Sequence, residues 1–194
     1  MMNFSFSREE IKDLVVSALA LGFIFSVGYG LDPVMILMIT AIVSVSFIPH
    51  ELAHKYFAMK YGCFAKYQMW KNGLIFALVL AIVTKGGFVF AAPGAVMIYT
   101  AYHDRYGVRQ VNLTPKQNAF ISAAGPVTNI LIALMFLPLA GTGEFFSMIV
   151  YVNSFLAFFN LLPIPPLDGS KIIWYNILLW GVLIGASWVL LSLA

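Results

Sequence analysis

The chain has 194 residues, of which 61% are apolar and only 10% charged, and its formal net charge is +3. A soluble domain carries roughly 25% charged residues, so this composition excludes an ordinary soluble protein and predicts an integral membrane protein in contact with the lipid bilayer. The basic residues are scattered, which argues against a nucleic-acid partner, and the length predicts a single domain over residues 1–194.

Long apolar runs predict an all-α membrane protein, a polytopic bundle of about five to six transmembrane helices. A helix of roughly 18 apolar residues can cross the hydrocarbon core of a bilayer. The runs expected to do so are residues 14–31, 34–57, 118–139, 145–162 and 172–193.

Residues 73–100 differ from these runs, because their apolar part is short and Pro93-Gly94 interrupts a stretch rich in β-formers. We expect a short re-entrant or β-like segment near the active site, with a two-pass hairpin as the alternative. Irregular backbone at membrane depth is tolerated where protein shields it or where it lines a wet cavity.

The placement of Lys and Arg predicts the orientation of the chain. If residues 73–100 do not cross the membrane, all eleven basic residues lie on one side, opposite Asp32 and Glu144. Cytoplasmic loops carry the excess of Lys and Arg, so this side is expected to be cytoplasmic. The prediction is a multi-pass protein of the cell membrane, of prokaryotic origin. Lys55 is interpreted as a marker of the headgroup level.

The sequence HELAH at residues 50–54 follows a charge-free run, residues 34–49. His50 and His54 are four residues apart, so they share one helix face and can hold one metal ion. Glu51 lies about 100° round the helix, where it can act on water beside the metal rather than ligate. The pattern predicts a zinc hydrolase with Glu51 as general base. The alternative is a set of polar residues packed at a helix end.

Catalytic zinc requires a third protein ligand. His103 and Asp104 lie in a polar loop beside Arg105 and are expected to be solvated, whereas Glu144 is expected on the opposite side of the membrane. Asp168 follows a helix that descends to the same side as HELAH, which makes it the expected third ligand. The alternative for Asp168 is a turn residue, because Asp-Gly is a common turn pair.

Three motifs together resemble the site-2 protease family of intramembrane zinc metalloproteases. They are HELAH at 50–54, AAGPVTN at 123–129 and NLLPIPPLDG at 160–169. The resemblance covers about residues 34–172, the expected catalytic core. It implies one Zn²⁺ per chain and hydrolysis of peptide bonds in or near the transmembrane segments of membrane-protein substrates.

The same resemblance implies roles for individual residues. Asp168 would be the third zinc ligand, and Glu51 would activate the water. Asn160, Pro165 and Pro166 would engage the substrate backbone, although Asn160 could equally cap its helix.

Two further features are each open to two interpretations. Asn129 is a candidate for contact with the tetrahedral oxyanion or for orienting a ligand, with helix packing as the alternative. Residues 88–96, FVFAAPGAV, could offer a strand edge to an unwound substrate or form a hairpin that covers the site.

The alternative function is a membrane zinc-binding protein or transporter that carries the metal without hydrolysis. A transporter usually places charged groups along a path through several spans. Here only one end of the predicted bundle is polar.

Overall fold

The structure is a computed structural model that describes residues 4–30, 32–104 and 107–194. Helices dominate it, as the composition predicts. The helices are α1 (Arg8–Ser26), α2 (Pro33–Lys60), α3 (Lys71–Val83), α4 (Pro115–Phe136), α5 (Glu144–Asn160), α6 (Asp168–Tyr175) and α7 (Ile177–Leu193). The strands are β1 (Phe64–Met69), β2 (Gly94–Tyr99), β3 (Ala101–Asp104) and β4 (Gly107–Gln110), and 3-10 turns span Val27–Tyr29 and Leu137–Thr142.

Within the described ranges, three helical stretches are long and apolar enough to cross a membrane: Arg8–Tyr29, Pro33–Lys60 and Pro115–Thr142. Helices α3, α5 and α7 are apolar but shorter. The prediction of a helical membrane protein is therefore confirmed. The count of five to six spans stays a prediction, as does the path of residues 73–100 relative to the bilayer.

The C-terminal apolar run is not one helix, so the expectation of a continuous helix over 172–193 is wrong. Asn176 adopts an extended conformation, with φ −156° and ψ 108°, and separates α6 from α7. Its side chain accepts a hydrogen bond from the Leu179 N–H at 2.9 Å. Asn is a favoured N-cap residue because its side-chain oxygen satisfies an otherwise unpaired N–H in the first turn.

Strands β1 and β2 form an antiparallel pair whose register runs from Phe64 opposite Tyr99 to Met69 opposite Gly94. The predicted β-like segment is thus present as β2. Strands β3 and β4 form a separate antiparallel pair in the predicted polar loop. Gly62 ends the turn after α2 with φ +89°, a left-handed conformation that glycine adopts without strain.

Carboxylates of α1 hold the outer edge of β1. Glu10 Oε1 accepts from the Tyr67 N–H at 3.0 Å, and Asp13 Oδ2 accepts from the Met69 N–H at 3.1 Å. Glu10 also pairs with Lys55 Nζ at 2.7 Å, and both of these side chains are buried. The interpretation of Lys55 as a headgroup marker is therefore wrong, because a buried ammonium needs a paired charge and finds it in Glu10.

The helices pack around α2 and α4. Helix α2 contacts α1, α4 and α5, while α4 also contacts α6 and α7. The largest core cluster joins side chains of α1, α2 and α5 such as Leu21, Val43 and Leu156. This packing fixes the end of α2 that carries HELAH against α4, which in turn contacts α6.

Candidate metal centre

The structure brings His50, His54 and Asp168 together, although they come from two helices far apart in the chain. His50 and His54 lie on one face of α2, and Asp168 begins α6. Gly169 lies so close to the Leu161 carbonyl that any Cβ there would overlap it. Glycine at this position therefore lets the turn after α5 return Asp168 to the histidines.

The donor atoms of these three residues have spacings that suit zinc. Nε2 of His54 lies 3.0 Å from Nε2 of His50 and 3.1 Å from Asp168 Oδ2. The distance from His50 Nε2 to Asp168 Oδ2 is 3.8 Å. Tetrahedral zinc with bonds of about 2.0–2.1 Å holds its donors roughly 3.3 Å apart. Two imidazoles and a carboxylate can therefore hold the ion and leave a fourth position open.

The charge state of Asp168 suits ligation. Burial alone would raise the pKa of its carboxyl, but protonated His54 and His50 outweigh burial and hold that pKa below its usual range. A carboxylate is the form that binds a cation, and a bound cation would take the place of the histidine protons on Nε2.

Gly125 of α4 keeps the space beside the donors clear. A Cβ at this position would overlap both His54 Nε2 and His50 Nε2. Because Gly125 has no side chain, the space next to these two Nε2 atoms, which face Asp168, stays open. This observation supports an ion between the three residues.

Each imidazole is held by its other nitrogen. His50 Nδ1 contacts Asn129 Oδ1, and His54 Nδ1 contacts the Ile121 carbonyl oxygen at 2.7 Å. Both partners are acceptors, so each ring carries its proton on Nδ1 and presents the lone pair of Nε2 to the donor group. The contact with His50 fits the ligand-orienting interpretation of Asn129, and its bonds to Ser46 and Asn153 of neighbouring helices fit the helix-packing alternative. A backbone carbonyl such as that of Ile121 has no sequence signature, so its contribution was not predicted.

Glu51 is buried beside this group without belonging to it. Its Oε2 atom has no hydrogen-bond partner among the residues that the structure describes. Buried carboxylate oxygens are normally paired, so an unpaired one calls for an explanation such as a catalytic role. Glu51 lines the same cavity as the donors, where a water or a substrate could meet it.

A cavity of about 520 Å³ opens onto the donor group. One wall is β2, and the other is the segment between α5 and α6. Asn160, Pro165 and Pro166 all line it. Asn160 Nδ2 donates to the Leu156 carbonyl of its own helix at 2.9 Å. The substrate contacts assigned to these three residues stay predictions, while Asn129 is fully buried behind His50.

The outer edge of β2 borders this cavity. Since Tyr67 directs its N–H away from β2 to a carboxylate of α1, its register partner Val96 directs its own backbone groups away from β1. Ile98 follows the same alternation, and both residues line the cavity. The edge next to the donor group therefore has backbone hydrogen-bonding groups that β1 does not use.

One family model and two relatives match this chain. The model of peptidase family M50 matches residues 37–142 and 138–181. The chain is 40% identical over 187 residues to "Putative zinc metalloprotease MJ0611" of Methanocaldococcus jannaschii, covering 92% of this chain and 91% of that protein. It is 33% identical over 168 residues to "Putative zinc metalloprotease YwhC" of Bacillus subtilis, covering 75% of this chain and 70% of that protein. No solved structure gives a significant match.

Proposed function

The chain belongs to peptidase family M50, and from this premise we propose that it is an intramembrane zinc endopeptidase that cleaves membrane proteins in or near their transmembrane segments. The observation that carries the proposal is the group of His50, His54 and Asp168 beside the unpaired carboxylate oxygen of Glu51. The site is proposed to face the cytoplasm of a prokaryotic cell, which fits relatives from an archaeon and a bacterium.

His50, His54 and Asp168 would hold one zinc ion per chain through Nε2, Nε2 and a carboxylate oxygen. When bound, zinc supplies a Lewis acid that polarises the scissile carbonyl and lowers the pKa of water. Asn129 and the Ile121 carbonyl keep the two rings in the orientation and tautomer that ligation needs.

Glu51 would move the proton. Its carboxylate accepts a proton from the attacking water as the water oxygen bonds to the scissile carbonyl carbon. The protonated Glu51 then donates that proton to the leaving nitrogen as the C–N bond breaks, so that an amine and a carboxylic acid result. The unpaired Oε2 atom supports this role because no other group within the described chain competes for it.

A substrate would bind as an extended strand rather than as a helix. The peptide bonds of a helix are shielded by its own hydrogen bonds, and strand addition to β2 would hold an unwound segment through backbone contacts. Val96 and Ile98 would contribute those contacts, and Pro165 and Pro166 would form the opposite wall.

Metal content tests the proposed ligand set. Purified wild-type protein is expected to contain about one zinc ion per chain, and Asp168→Ala is expected to lower zinc affinity by more than about 100-fold, because a direct ligand is lost rather than an outer partner. Elemental analysis and competition with a chelator measure both. Asp32→Asn is the matched control, because Asp32 caps the other end of α2 through the Val34 and Met35 N–H groups. It should retain zinc.

The outcomes of this experiment separate the alternatives. A folded wild-type preparation that binds no zinc would overturn the proposed function, and unchanged zinc in Asp168→Ala would move the third ligand elsewhere. Stoichiometric zinc without cleavage of a single-span model substrate would favour the non-proteolytic zinc-binding protein or transporter.

Val96→Pro tests strand addition. Proline removes the outward N–H of Val96 and is tolerated on a free strand edge, so kcat/KM should fall by about 3–10-fold, the cost of one hydrogen bond, while zinc content stays unchanged. Val96→Thr retains the N–H and should cleave normally. Met97→Pro removes an N–H that faces β1 and should lower thermal stability instead. Full cleavage by folded Val96→Pro would exclude this edge as the binding site.

A further inference from the structure

A network of buried amides connects α5 to the candidate metal centre. We propose that Asn153 is a positioning residue for zinc binding, which fixes the amide of Asn129 and through it the tautomer of His50. The proposal rests on the metal site of the proposed function. It assigns a role to a residue whose hydrogen bonds go to Asn129, Ser46 and Ile149 and not to the three proposed ligands.

The contacts of Asn129 define its surroundings. Its Nδ2 atom donates to the Ser46 carbonyl at 3.0 Å and to Asn153 Oδ1 at 2.9 Å, while its Oδ1 atom faces His50 Nδ1. The side chains of Asn129 and Asn153 are both fully buried. Water therefore cannot replace any of these partners, and each amide end must match its neighbour.

The Ile149 carbonyl sets the orientation of the Asn153 amide, because a carbonyl oxygen can only accept hydrogen bonds. Its Nδ2 atom donates to the Ile149 carbonyl at 2.9 Å and to Ser46 Oγ at 2.8 Å. A flipped Asn153 would place its oxygen against the Ile149 carbonyl and its NH₂ group against the NH₂ group of Asn129. Two acceptors would then meet in one place and two donors in another, which is unfavourable in a buried site.

The orientation of Asn153 therefore determines which ring nitrogen of His50 carries the proton. With Asn153 Oδ1 facing it, Asn129 keeps its NH₂ group toward α5 and its oxygen toward His50. His50 must then carry its proton on Nδ1, which leaves the lone pair on Nε2. A His50 ring with the proton on Nε2 could not ligate a metal through that atom.

Without Asn153, one of the two acceptors that hold the Asn129 NH₂ group is lost. The amide of Asn129 is then freer to turn its NH₂ group toward His50, which favours the tautomer that does not ligate. Outer partners of metal-bound histidines typically contribute 10–100-fold to metal affinity. Asn153 acts one step further out, so we expect its loss to weaken zinc binding by about tenfold.

A double-mutant cycle on zinc affinity tests the proposal with the full-length protein in detergent. Asn153→Leu should weaken zinc binding about tenfold in the wild-type background, measured by competition with a chelator of known affinity. In an Asn129→Ala background it should cause little further loss, because the group through which it acts is absent. Asn153→Asp retains an oxygen facing Asn129, and as a buried carboxyl without a counter-charge it keeps a proton that can be donated to the Ile149 carbonyl, so it should bind zinc nearly as tightly as wild type.

Ser154→Ala is the matched control. Ser154 is the next residue on α5, is fully buried, and has a hydroxyl without a partner among the described residues. Removing that hydroxyl should leave zinc affinity unchanged.

Two results would overturn the proposal: wild-type affinity in Asn153→Leu, or an equal loss of affinity with and without Asn129, which would indicate a general packing role. If Asn153→Leu does not fold, Asn153→Ser is judged by the same cycle. Failure of the wild-type protein to bind zinc would instead count against the proposed function.

Discussion

Glu51→Gln is expected to reduce cleavage of a single-span model substrate by at least about 10²–10⁴-fold, the usual contribution of a general base. Glutamine has nearly the shape of glutamate but cannot accept the proton of the attacking water. Glu51 is not one of the three grouped donor residues, so zinc content should remain near one ion per chain. Cleavage assays and elemental analysis on the same preparation measure both quantities.

Glu144→Gln provides the control for this substitution. Glu144 begins α5, at the opposite end of that helix from Asn160 and the cavity. The same chemical change there should leave cleavage unaltered. Cleavage by Glu51→Gln within tenfold of wild type would remove Glu51 from the role of base, and loss of zinc would instead indicate that Glu51 helps to hold the metal.

Gly125→Ala is expected to weaken zinc binding by more than about 100-fold, beyond the loss typical for an outer partner. The new Cβ would overlap the donor nitrogens of both His50 and His54. Residue 125 also precedes Pro126 inside α4, where a Cβ is disfavoured in the helical conformation, so thermal stability is measured alongside zinc affinity. The expected signature is a folded protein without zinc and without cleavage activity.

Gly181 and Gly185 offer matched controls within α7. A Cβ at either position would meet no atom within 4 Å. Alanine at these positions should leave zinc content unchanged. Normal zinc affinity in Gly125→Ala would mean that the two imidazoles are arranged differently from the structure described above.

The helices and the grouping of donor residues follow from local rules that a sequence carries. Apolar runs predict the helices, and a spacing of four residues places His50 and His54 on one helix face. Because α5 runs toward the end of the bundle that carries HELAH, Asp168 follows it at that same end. These features depend on helical periodicity and on the alternation of helix direction. Helical periodicity and helix direction can both be predicted without knowing how side chains pack.

Features that depend on tertiary packing were not predicted. The Asn153 contact with Asn129 depends on the rotation of α5 against α4, and Asn153, unlike Asn129 at the end of AAGPVTN, has no distinctive local pattern. The Lys55–Glu10 pair joins residues 45 positions apart and reverses the expected exposure of Lys55. Strand β1 was missed because FAKYQM mixes polar and apolar residues and becomes a strand only beside β2.

The carboxylates of α1 make the two edges of the β1–β2 sheet unequal. A free edge on β1 would offer a second docking position on the side away from Glu51, and a segment bound there would be held without being cut. Because Glu10 and Asp13 occupy the outward N–H groups of Tyr67 and Met69, that unproductive mode is disfavoured. Helix α1 lies outside the residues matched by the family model, yet its carboxylates occupy the β1 edge and so favour the β2 edge for the strand addition proposed above.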